Sequence, residues 1–119
     1  MTDRPIFDLS TSDQDGVKVF HLKGRLMDQP HADSLMSALD DAVNAGHKSV
    51  VLDLSGLQYM NSTGLNILIN VLTRTRNSGG DALIAALSNS VRQLFVVTKL
   101  DSVFVITPDV AAAVARLKG

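Results

Sequence analysis

The chain of 119 residues contains no cysteine, which excludes disulfides, thiolate metal sites and cysteine nucleophiles and fits a reducing compartment. It has no surplus of either charge. Its 11 basic and 12 acidic side chains leave a formal net charge of -1, so nothing broad in its electrostatics favours nucleic acid or an anionic membrane. It also lacks a long apolar run: the most apolar stretch, residues 65–72, is broken by Asn66 and Asn70, far short of the roughly 18 consecutive apolar residues of a membrane span. The opening Met1-Thr-Asp-Arg-Pro-Ile-Phe has no apolar h-region of a secretory signal. A soluble, cytoplasmic protein is expected, with neither nucleic acid nor membrane among its partners.

Several chemical motifs are missing as well. There is no G-x-x-x-x-G-K-[ST] loop, no G-x-G-x-x-G and no G-x-S-x-G elbow. His21, His31 and His47 have neither the i,i+4 nor the H-x-H spacing of a metal site, so surface or packing roles are assigned to them. Gly79-Gly80 precedes a strand rather than a helix, which makes it a helix stop and turn, not a phosphate cradle. No paired acid and base can be nominated. The expectation is a protein that is not an enzyme and holds no cofactor or metal.

What is present is a foldable alternating pattern. Apolar residues make up 45% of the chain, close to the globular average, and the length suits one domain over 1–119. Phe7-Asp-Leu-Ser-Thr-Ser alternates as a half-buried strand does, Asp15-Gly16 suits a tight hairpin, and Val17-Lys-Val-Phe-His-Leu-Lys supplies a second strand that Gly24 ends. Pro30 suits a first helical turn, with Asp28 or Gln29 as the cap. Ala32, Leu35, Met36, Leu39, Ala42 and Val43 then form one apolar stripe, and Gly46 stops the helix. Val50-Val-Leu-Asp-Leu reads as a strand covered on both faces.

A second helix is expected from Ser62 to just before Gly79, then a strand at Ala82-Leu-Ile-Ala-Ala-Leu. A third helix follows Ser88 with Val91, Leu94 and Phe95 as its core side, and Val103-Phe-Val-Ile makes a last strand. Thr107-Pro108-Asp109 opens a final helix carrying Val110, Ala113, Val114 and Leu117. The order β-β-α-β-α-β-α-β-α gives an α/β domain with a mixed, mainly parallel sheet, an N-terminal antiparallel hairpin and four helices.

Residues 49–72 organise the rest: a buried strand, a short loop, then a helix, with Asn61-Ser62-Thr63-Gly64 at the corner. Ser62 fits a helix N-cap. A phosphate there would also meet free amides and the positive end of the helix dipole. Gly64 presents no side chain and leaves the neighbouring hydroxyls open. On the helix, Leu65, Leu68, Ile69 and Leu72 should face the core, and Asn66, Asn70, Thr73 and Asn77 the solvent. Ile67 and Val71, beside Arg74, fall off the core face and are either covered by the fold or exposed as a docking patch. Asp53, a carboxylate inside an apolar strand, either bonds backbone amides of the next loop or serves a functional role.

The segment Val51-Leu-Asp-Leu-Ser-Gly-Leu-Gln-Tyr-Met-Asn-Ser-Thr-Gly-Leu resembles the signature of STAS domains, particularly bacterial anti-sigma factor antagonists. In that family an apolar strand and Asp-hydrophobic-Ser lead to Met-Asp-Ser-Ser/Thr-Gly-Leu-Gly. Gly24-Arg-Leu, Gly79-Gly80-Asp and Val91-Arg-Gln-Leu-Phe resemble further family segments, and the likeness covers nearly the whole chain. It implies a single STAS-like domain in a partner-switching pathway. Ser62 then matches the serine phosphorylated by the partner, an anti-sigma factor that is a serine kinase of the histidine-kinase-like ATPase type. Thr63 is the runner-up acceptor, and a phosphatase reverses the step.

The implied partner surface is Asp53, Asn61, Ser62, Thr63, Gly64, Ile67, Val71 and Arg74. ATP and Mg²⁺ would be the partner's. Three positions depart from the family pattern: Asn61 for an aspartate, Asn66 for a small residue, and Lys99 where glycine is common. Two other readings stay open. One is a constitutive interaction subunit of a signalling or transporter-associated complex that no phosphate switches. The other is a small-molecule-binding or catalytic domain using Asp53 and the Ser62 corner.

Overall fold

The structure is a computed structural model and describes residues 7–27 and 29–118. Two strands open it, β1 (Phe7–Gln14) and β2 (Val17–Leu26), paired antiparallel through a two-residue turn. Asp15 and Gly16 both take positive φ, 53° and 83°, the pattern a tight hairpin turn requires and Asp-Gly tolerates. There follow α1 (Gln29–Asn44), β3 (Val50–Met60), α2 (Ser62–Asn77), β4 (Ala82–Ala85), α3 (Asn89–Val97), a 3₁₀ turn at Leu100–Ser102, β5 (Ile106–Thr107) and α4 (Val110–Lys118). The five strands form one sheet in the order β1-β2-β3-β4-β5, parallel from β2 to β5. The expected mixed α/β fold with its antiparallel N-terminal hairpin is therefore the observed one. The expected Asp28 cap lies outside the described residues, as do the side chains of Gln29 and Ala32.

The strand period of two divides the core between two faces. Phe20 and Leu22 of β2, Leu52 and Leu54 of β3 and Ile84 of β4 point to one side, where Leu35 and Leu39 of α1, Leu68 of α2 and Phe95 of α3 cover them. Val19, Val51, Leu83 and Ala85 point to the other, beneath Ala113 and Val114 of α4. Three helices thus cover one face and a single helix the other, leaving the second face only partly roofed.

Four boundaries differ from expectation. β2 passes through Gly24, which marks an irregularity in the β2–β3 pairing and does not end the strand. β3 runs on to Met60, because residues expected as a loop pair with Lys23, Gly24, Arg25 and Leu26. β4 stops at Ala85, where Ala86 turns to φ 62°. The last strand shrinks to Ile106–Thr107, since Phe104 donates its amide back to Leu100 and buries its ring in the larger core. Lys99 adopts φ 63°, a left-handed conformation that costs an ordinary residue roughly 1–2 kcal/mol and that glycine would adopt freely.

Candidate functional site

The corner between β3 and α2 is built by Asn61. Its backbone is extended, its Oδ1 accepts from the Gly64 amide at 3.0 Å, and its carbonyl accepts from the Leu65 amide at 3.0 Å. Asn61, not Ser62, is therefore the N-cap, and Ser62 is the first helical residue. The side-chain amide of Asn61 also donates a long hydrogen bond, 3.4 Å, to the Met27 carbonyl, tying the β2–α1 connection to the start of α2. A carboxylate could cap equally well but would set one acceptor against another at Met27. That accounts for the asparagine. Asn61→Ala should cost about 1 kcal/mol, the usual worth of a lost cap, read as a lower urea midpoint with an unchanged slope.

Ser62 and Thr63 are both exposed on the first turn of α2. That turn contains no acidic residue, and the helix dipole places partial positive charge there. The arrangement accepts an added anion without like-charge repulsion from its own turn. Gly64 has a role other than leaving its neighbours open. It is buried, and a methyl group on it would overlap the Leu26 carbonyl oxygen and stand 2.9 Å from Cβ of Met60. The glycine lets α2 seat directly on the ends of β2 and β3.

Ile67 and Val71 are 3% and 0% exposed, so the open choice about them resolves as core, and they present no surface to a partner. The stripe they share with Arg74 points toward α1, where Arg74 forms an ion pair with Asp40. Covering such side chains stabilises a fold by about 1.5–3 kcal/mol each, against a net stability of about 5–15 kcal/mol. They are not free to swing out. The exposed ridge continuous with Ser62 is instead Asn66, Asn70, Thr73 and Asn77. Their polarity and helical spacing mark them as the solvent face of α2, as the sequence pattern expects.

Asp53 is half-buried on the α4 side of β3. Its Oδ1 accepts from the Ser55 amide at 3.0 Å, and its Oδ2 lies 2.7 Å from His21 Nδ1 on the neighbouring strand. The backbone-bonding reading of Asp53 is thus the observed one, with His21 as a partner that only the strand register reveals. Burial pushes its pKa up, but the Ser55 amide and the His21 ring together outweigh this and hold it below the ordinary 3.8. Because the folded value is the lower one, the stabilisation is fully present above the unfolded pKa and is lost as pH falls through the folded one. Asp53→Asn should therefore lose less stability than the parent on acidification, measured by urea melts across the acid range.

The family model described as STAS domain matches residues 8–113. A protein of Bordetella bronchiseptica named as anti-sigma factor antagonist BtrV is 31% identical over 104 residues, 87% of this chain and 89% of its own length. The crystal structure of an anti-sigma factor antagonist from Mycobacterium paratuberculosis superposes with a TM-score of 0.81 at 26% identity, covering 95% of each chain. The Bacillus cell fate determinant SpoIIAA in its phosphorylated form shares the fold, with a TM-score of 0.67 at 17% identity over 92% of this chain and 97% of its own. No described helix is long and apolar enough to cross a membrane. On the family match and the overlap with BtrV, this chain belongs to the STAS domain family.

Proposed function

We propose that this protein is an anti-sigma factor antagonist whose partner binding is switched by phosphorylation of Ser62. The observation that carries the proposal is the exposed hydroxyl of Ser62 on the first turn of a 16-residue helix, held at a fixed place by Asn61 and by the close seat of Gly64. Names of relatives add support: BtrV and the mycobacterial protein are called antagonists of anti-sigma factors, and SpoIIAA is known in a phosphorylated form. The partner in this reading is a kinase-like anti-sigma factor that brings its own ATP and Mg²⁺. The STAS chain is substrate and ligand, not enzyme, and a phosphatase resets it.

The partner-facing surface is the Ser62–Thr63 turn together with the Asn66, Asn70 and Thr73 ridge. Along its sixteen residues α2 contains no acid, so a phosphate would be the first negative charge on this surface. It would add about -1.5 to -2 at neutral pH. Desolvating that charge in an interface without a matching cation costs several kcal/mol, whereas at the solvated end of a free helix it is tolerated.

The test is phosphate incorporation. With the anti-sigma partner co-purified from the source cells and Mg-ATP added, intact mass should show one phosphate per chain, mapped to Ser62 and absent from Ser62→Ala. Phosphate on Thr63 would move the acceptor by one residue. A stable partner complex with no phosphorylated species would instead favour a constitutive interaction subunit.

A further inference from the structure

Away from the α2 corner, three side chains from three adjacent strands form one hydrogen-bonded line on the partly roofed face of the sheet. Ser12 Oγ on β1 lies 2.8 Å from His21 Nε2 on β2, and His21 Nδ1 lies 2.7 Å from Asp53 Oδ2 on β3. Register places them together. His21 is directly opposite Asp53, while Ser12 is opposite Val19, two residues from His21 and on the same face.

Chemistry sets the direction of the line. An ionised carboxylate only accepts, so His21 Nδ1 donates to Asp53, and in the neutral ring Nε2 then offers its lone pair to the Ser12 O–H. The second oxygen of Asp53 is fixed by the Ser55 amide at 3.0 Å, so the ring is oriented from a rigid point. Hydroxyl, imidazole and carboxylate in this order and at these distances form the arrangement in which a base activates a nucleophile and a third group orients the base. Ser12 is exposed on β1, the edge strand of the sheet, so a reagent reaches it without any opening of the fold. An edge strand also turns part of its row of amides outward, where they can donate to an oxygen that gains negative charge.

We propose that Ser12 is a modification site: a hydroxyl activated by His21, with Asp53 as positioning residue, that takes an acyl group from an activated ester or thioester. Ser12 Oγ attacks the acyl carbon and its proton passes to His21 Nε2. The bond from the acyl carbon to the leaving oxygen or sulfur breaks, and that atom takes the proton from His21. The products are an acyl-serine ester and a free phenol, alcohol or thiol, and His21 returns to its starting state. One transfer per chain is proposed, not turnover. The inference is independent of the switch at Ser62.

The experiment exposes the full chain to p-nitrophenyl acetate at neutral pH and maps acetylation by peptide mass spectrometry over time. Ser12 should acetylate about 10²-fold faster than Ser37, an exposed hydroxyl on α1, which is the lower end of what a positioned base supplies. His21→Gln keeps hydrogen-bonding capacity without a base and should bring Ser12 down to the Ser37 rate, with thermal melts confirming the fold. Should that variant unfold, Asp53→Asn serves as the second variant and must also slow Ser12. Ser12→Ala, at an exposed position, should remove the fast label altogether. Acetylation of Ser12 no faster than Ser37, an undiminished rate in a folded His21→Gln, or acetyl resting on His21 itself would each overturn the proposal and leave the line as a cross-strand tie.

Discussion

Gly64→Ala should lower the stability of the domain by about 2–3 kcal/mol, the upper part of the range for overpacking a close contact, and should drop its melting temperature by roughly 10 °C. Helix propensity alone forecasts the opposite, since alanine in place of glycine gains about 1 kcal/mol in a helix interior. Sterics decide the sign. The added methyl meets the Leu26 carbonyl oxygen and Cβ of Met60, and a backbone carbonyl cannot move aside as a flexible side chain can. Relief requires α2 to lift from the ends of β2 and β3, which also disturbs the Asn61 bond to Met27 and the placement of Ser62. Partner affinity should therefore fall together with stability. Differential scanning calorimetry of the two proteins gives the comparison, and an unchanged or raised melting temperature would show that α2 does not seat as described.

Ser62→Asp should weaken binding of the anti-sigma partner by about 10²-fold or more. About 1.4 kcal/mol is a factor of ten in affinity, and an unpaired charge carried into an interface costs several kcal/mol. The same substitution should raise the stability of the free chain by about 0.3–1 kcal/mol, because a carboxylate in the first turn complements the helix dipole. That opposite pair of effects separates a switch from damage: a merely disruptive substitution lowers both quantities. Isothermal titration with the purified partner and a thermal melt of the free chain measure the two sides.

Most of the fold could be read from the chain because its pattern is local. Asp15-Gly16, the stripes of α1 and α2 and the strand at Val50-Val-Leu-Asp-Leu each announce themselves within a few residues. The extension of β3 to Met60 was not legible. Ser55, Gly56, Gln58 and Tyr59 join a strand only because β2 lies beside them, and that pairing is tertiary. The same limit applied at the site. Local pattern marks Ser62 as a cap, but the cap is Asn61, whose amide has a distant partner in Met27. Ile67 and Val71 lie off the α2 core face on a helical wheel, yet α1 stands where the wheel shows solvent. Ser12 and His21 share a hairpin, but Asp53 lies 32 residues beyond His21, and only strand register brings it into line.

Ser62 is the residue on which the proposed switch depends, and its most direct test is the intact mass and phosphosite map of the chain incubated with its purified anti-sigma partner and Mg-ATP. A single phosphate on Ser62, none on Ser62→Ala, and release of the partner as the phosphate is added are the results the account predicts. A partner that stays bound to an unmodified chain, or to one phosphorylated on Ser62 with undiminished affinity, would contradict it.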